Sequence, residues 1–160
     1  MRSPQLVAAF LCADVLTNPG GRLSFYNLLL DVSADRYPTI VPYLVAVGVW
    51  MHEAPEIQLC TTRVVMLNPH QDTVLAEATD RFSLGGEVVR HVSVHRFRDV
   101  LLPEPGAYRV QFVLDGVVVQ DIPLVAVELG TGRQGDGETC LRVPLSPCLR
   151  KRRVDPCRRS

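Results

Sequence analysis

The side chains in this sequence best suited to chemistry are its histidines, above all His91 and His95, which stand four residues apart with Ser93 between them. On a helix that spacing puts two imidazoles on one face, where they chelate a metal ion. On a strand it separates the rings by about 13 Å, at roughly 3.3 Å per residue, too wide for one ion with bonds of about 2 Å. The flanking alternation of Val92 and Val94 with polar residues favours the strand, so no metal is expected. A Ser-His pair is not indicated either: residues two apart on a strand point the same way without meeting, and no glycine-flanked nucleophile elbow occurs. The arrangement left for chemistry is a small-ligand or hydrolytic site that assembles His70, His91 and His95 with loop acids across strands.

Other constellations fall short. Asp31, Asp35, Asp72 and Asp115 lie in turns without the alternating carboxylates of a calcium loop. Gly20-Gly21, Gly85-Gly86 and Gly130-Thr131-Gly132 lack the lysine and helix of a phosphate cradle. No cofactor is expected. Aromatics are 6% of the chain, and Trp50, Phe25, Phe97, Tyr108 and Phe112 occupy core-like positions. Tyr26, beside a proposed bulge, is the aromatic most available for an interaction.

The formal net charge of zero hides a division. Residues 1–130 hold 9 basic and 14 acidic groups, a net of −5, and residues 131–160 hold 8 basic and 3 acidic, a net of +5. The basic groups cluster at Arg150, Lys151, Arg152 and Arg153, then Arg158 and Arg159. Such a cluster can touch nucleic acid or an anionic surface, but without stacking aromatics it reads first as a solvated tail. Cys140, Cys148 and Cys157 match no zinc-ligand spacing. The segment is rich in Gly, Pro, Arg and Cys, has almost no apolar periodicity, and reads as disordered.

The remaining residues must build whatever positions these groups. At 160 residues, with 47% apolar side chains, 12 prolines and 11 glycines, the chain suits one turn-rich domain. The apolar run Leu6–Leu11 is too short to cross a membrane and soon meets Asp14. No membrane span is expected, export is unsupported, and a cytoplasmic location follows. Cys12 and Cys60 sit in apolar runs and read as buried free thiols.

The clearest element is a hairpin. Tyr108, Val110, Phe112 and Leu114 alternate with Arg109, Gln111 and Val113. Asp115-Gly116 supplies a type I′ turn into Val117–Val119. A bulge near Gln120–Asp121 is needed to keep Asp121 off the apolar face, and Pro123 keeps this strand near an edge. Upstream, Gln5–Val15 is a nearly continuous apolar run that fits a strand covered on both faces, with a short buried helix as the alternative that periodicity leaves open. Leu23–Val32 needs a bulge near Tyr26–Asn27. Tyr43–His52 is apolar on both faces and therefore central, with Val45 and Val47 in the core. Ile57–Leu67 and Thr73–Phe82 pair around the loop Asn68–Asp72, with Val74, Ala76 and Ala78 inward. Val88–Leu102 is expected to carry Val92 and Val94 inward and His91, Ser93 and His95 outward. The sum is an all-β domain over residues 5–129: an antiparallel two-sheet β-sandwich, immunoglobulin-like, of seven or eight strands. Residues 130–160 form its basic tail.

Several of these motifs, in this order, carry a resemblance. Cys12-Ala13-Asp14 closes the first strand, Gly21–Phe25 reads Gly-Arg-Leu-Ser-Phe, and Arg36-Tyr37-Pro38 enters the third strand. Pro105-Gly106-Ala107-Tyr108 leads to the Asp115-Gly116 hairpin. Over residues 5–128 the chain resembles a family of small, uncharacterised bacterial proteins defined by a domain of unknown function. The resemblance implies the β-sandwich and brings no catalytic residues. The function class expected is a non-catalytic interaction or assembly module with a protein partner.

Overall fold

Asp115 and Gly116 both take positive φ, 46° and 86°, as a type I′ turn requires, and they join two strands into the hairpin that the alternation predicts. The computed structural model describes residues 3–70 and 72–130, and among these there are nine strands and no helix. They are β1 (Gln5–Thr17), β2 (Leu23–Leu28), β3 (Asp31–Ala34), β4 (Thr39–Met51), β5 (Gln58–Leu67), β6 (Val74–Leu84), β7 (Arg90–Leu102), β8 (Gly106–Leu114) and β9 (Val117–Glu128). One sheet has the order β2-β1-β4-β7 and the other β3-β9-β8-β5-β6.

The strand count exceeds the seven or eight expected because the segment after Gly21 is two strands. Asn27, at φ 50°, interrupts the pairing of β2 with β1 where a bulge was expected, and the break between the two strands falls at Leu29–Leu30. The chain then leaves one sheet and enters the other, where β3 pairs with Val125–Glu128 of β9. That pairing is parallel, so the sheets are not wholly antiparallel. In the hairpin, Leu114 opposes Val117 as expected, but Phe112 opposes Gln120. The register shift therefore falls at Val119, earlier than expected, and Asp121 ends up opposite Gln111, away from the core.

The two sheets face each other across a shared apolar core in a sandwich-like arrangement. Leu44, Ala46 and Trp50 of β4 meet Val64 and Met66 of β5 and Tyr108, Val110 and Phe112 of β8, all completely buried. Trp50 lies tilted on Phe82 of β6 at 5.7 Å between ring centroids. As expected, β4 is central, hydrogen-bonded to β1 on one side and β7 on the other. Pro42, which has no N–H to give, sits where the β4–β7 ladder skips a pair, next to Asp99 at φ 51°. Cys12 and Cys60 are buried free thiols. No helix among the described residues is long and apolar enough to cross a membrane. The basic cluster Arg150–Arg153 and the expected tail at 131–160 lie outside the described residues.

Candidate functional site

The histidine strand faces the opposite way from its sequence reading. β7 pairs with β4 so that His91 opposes Trp50, Ser93 opposes Gly48 and His95 opposes Ala46. Directly opposed residues share a face, so all three polar side chains point into the core, and Val92 and Val94 point away from it. Trp50 explains the inversion. Its indole N–H is fully buried and needs an acceptor, and Ser93 Oγ provides one at 2.9 Å while donating to the Gly48 carbonyl at 3.4 Å. The His91 ring stacks on Phe82, with centroids 4.2 Å apart and planes at 14°. His95 is 3% exposed.

Burial pushes both imidazoles below the ordinary histidine value, against the opposing pull of the Asp80 carboxylate. Both are thus neutral packing groups at pH 7. Among the described residues Thr62 Oγ1, His91 Nε2 and His95 Nε2 are buried polar atoms without a hydrogen-bond partner. His70 is elsewhere, exposed in the β5–β6 loop with its backbone N–H donated to Asn68 Oδ1 at 2.9 Å. Among the described residues no three His, Cys, Asp or Glu side chains form a metal-holding group. His52, which the sequence reading passed over, is buried at the end of β4 and lines a small concavity with Gln5 and Glu53.

A different surface stands out on the outward face of the four-stranded sheet. Residues alternate faces along β4, so Tyr43, Val45, Val47 and Val49 point away from the main core. They meet a second apolar cluster: Cys12, Val15, Val45 and Val47 are buried there, with Phe10, Leu23, Val92 and Val94 packed against them. Register orders this face in rows. Phe10, Val47 and Val94 form one; Cys12, Val45 and Arg96 the next; Tyr43 and Arg98 the next. Tyr43 is 62% exposed. Phe25, expected in the core, is 39% exposed at the rim and meets Phe10 edge-to-face at 4.9 Å. Tyr26, the aromatic expected to be available, is 49% exposed and opposes Asp14.

Arg96 holds this face together. Its guanidinium donates to the Val15 carbonyl on β1 at 3.0 Å, so a side chain rooted on β7 reaches across β4. Its aliphatic stem lies along the apolar row while the charge stays at the surface. Beside it, Asp14, Tyr43, Val45, Arg96 and Arg98 line a concavity of about 340 Å³. Among the described residues the ion pairs are Arg63–Glu77 and Arg109–Asp72, both exposed and both on the other sheet's side. Arg90, Arg96 and Arg98 thus have no carboxylate partner there.

Residues 7–127, a span that reaches from β1 into β9, match the model of DUF6941, a family of unknown function. The chain belongs to this family. Among curated proteins none matches it. The DUF6941 match bears out the resemblance read from the Cys12-Ala13-Asp14 and Pro105–Tyr108 motifs, and it leaves the site to be argued from its geometry. Of the candidate residues, the DUF6941 domain brings His91 and His95 together as core groups and leaves His70 apart in its loop. Tyr43, Arg96 and Arg98 were missed, because strand alternation assigned them to faces without showing that one face would stay uncovered.

Proposed function

We propose that this domain is a non-catalytic interaction module whose docking surface is the outward face of the β2-β1-β4-β7 sheet. The observation that carries the reading is the combination on that face of a second apolar cluster, exposed Tyr43 and Phe25, and arginines without carboxylate partners among the described residues. Contiguous exposed apolar surface rimmed by polar groups marks interaction sites. On the other sheet, by contrast, Arg63 is paired with Glu77 and Arg109 with Asp72.

The immunoglobulin-like character of the sandwich belongs to the same reading. β1-β4-β7 correspond to strands A, B and E of that fold and β9-β8-β5-β6 to G, F, C and C′. Tyr108, early in the F-like strand, donates its hydroxyl to the Glu104 carbonyl at 2.5 Å, as a tyrosine corner does. By analogy of fold, such scaffolds commonly serve as binding modules.

The test is site-directed photo-crosslinking in the native host, with a photoreactive residue at Tyr43 or, as control, at Gln111 on the other sheet. Adducts are expected from Tyr43 alone, and equal adducts from Gln111 would refute the assignment. A second reading, a small-ligand or hydrolytic site at His91 and His95, draws on the unpartnered atoms Thr62 Oγ1, His91 Nε2 and His95 Nε2. It requires a ligand that protects both imidazoles from modification. The stacking of His91 on Phe82 and the burial of His95 favour a packing role.

A further inference from the structure

The geometry points to an acidic protein segment as the occupant of the outward face of the four-stranded sheet, with a carboxylate seated between Arg96 and Arg98 beside the Tyr43 ring. This rests on the docking reading above and adds the chemistry of the partner.

Three features select that occupant. Arg96 and Arg98 are two residues apart on β7, on one face, about 7 Å along the strand, and both line the same concavity. Arg96 is already oriented by its bond to the Val15 carbonyl, so part of its guanidinium is fixed before any ligand arrives. A planar guanidinium with free N–H groups matches a carboxylate in paired, charge-assisted hydrogen bonds. Next to this charge lies an apolar floor, Val45 with Phe10, Val92 and Val94 farther along the rows. It suits the aliphatic or aromatic side chains that flank a carboxylate in a peptide.

The same features argue against other occupants. Val92 and Val94 separate Arg90 from Arg96, and Asp14 lines the concavity, so the positive charge is interrupted rather than forming the continuous groove that a nucleic-acid strand needs. A second copy in face-to-face contact would set three arginines and one aspartate against the same surplus. The segment 131–160 of this chain carries a net of +5 and so lacks the surplus of carboxylates that the Arg96–Arg98 pair selects.

The experiment uses the full-length, isotope-labelled protein and reads amide shifts by NMR. The probe is a capped hexapeptide alternating glutamate with leucine. Its glutamine counterpart and a short oligothymidylate serve as comparisons. The glutamate peptide is expected to shift Tyr43, Val45, Arg96 and Arg98, and the glutamine peptide to bind roughly tenfold or more weakly, as loss of charge-assisted bonds implies. R98Q, at an exposed position, should weaken the glutamate peptide to a similar degree while leaving the rest of the spectrum unchanged. R96Q should do so too, with added shifts near Val15. Equal binding of both peptides would overturn the acidic preference and leave the docking face standing. Shifts confined to other surfaces, or none, would overturn both. Tighter binding of the oligothymidylate to the same residues, or self-association that covers them, would replace the proposed occupant.

Discussion

The Trp50 indole N–H donates to Ser93 Oγ at 2.9 Å, and this one bond between neighbouring strands fixes which way β7 faces. Gly48 makes room for it. A methyl group there would lie 3.0 Å from both Ser93 Oγ and Trp50 Nε1, and 3.2 Å from the Phe112 ring. Ser93→Ala should therefore destabilise the domain by about 1–3 kcal/mol, the cost of leaving a buried donor unsatisfied. Gly48→Ala should cost about 1–3 kcal/mol by overpacking the same spot. Trp50 is the only tryptophan, so its fluorescence during urea unfolding reports both. A neutral Ser93→Ala would mean that the indole has another acceptor.

The two aromatic neighbours of this seam separate packing from surface effects. Phe112→Ala, which removes a fully buried ring between the sheets, should cost about 3–5 kcal/mol. His91→Ala should cost about 1 kcal/mol, because its stacking on Phe82 is lost. Arg98→Ala, exposed on the outward face, should stay within about 0.5 kcal/mol of the parent. A negligible loss for His91→Ala in chemical denaturation would return that side chain to the solvent face.

The β8–β9 hairpin was legible because two independent local signals agree there: the period-2 apolar set Tyr108 to Leu114 and the turn chemistry of Asp115-Gly116. The central place of β4 was legible as well, because its apolar residues fall on both faces: Leu44, Ala46 and Trp50 enter the main core, while Val45 and Val47 are buried among side chains of the neighbouring strands in the second cluster. β7 was not, because each of its faces is covered in part, and polarity sends Ser93 outward where the need of Trp50 for an acceptor draws it in. Four residues of β3 beside β9 left no local trace, since parallel pairing is set by distant chain. The reach of Arg96 across β4 to Val15 joins residues 81 apart in sequence, and no spacing rule encodes it.

The thiols make a further prediction. Burial first, then the Asp14 carboxylate, raises the pKa of Cys12, and burial with Asp115 raises that of Cys60. Both therefore stay protonated and unreactive at neutral pH. In a variant with Cys140, Cys148 and Cys157 replaced by serine, a thiol reagent at pH 7.5 should label neither remaining cysteine appreciably in the native protein and both promptly in urea. Fast native labelling of Cys12 would show that the outward face opens, because Cys12 lies in the apolar row under Arg96.

Protonation of the inward histidines gives the last prediction. His91 and His95 are both held below the ordinary value of 6.5, chiefly by burial; Asp80 opposes this at each, and at His95 the charge of His91 adds to it. A histidine with a depressed folded pKa binds protons more readily in the unfolded chain. Its contribution is thus fully present above the unfolded value and is lost as pH falls through that value toward the folded one. The melting temperature should be flat above about pH 7 and fall between about pH 6.5 and 5, before the bulk of the carboxylates titrates at about 4. His95→Gln keeps a polar side chain of similar reach without a titrating group, and should flatten that decline whatever it does to the plateau. A melting curve that stays level down to about pH 5 in the parent, or an undiminished slope in His95→Gln, would mean that His95 takes up its proton without opening the core.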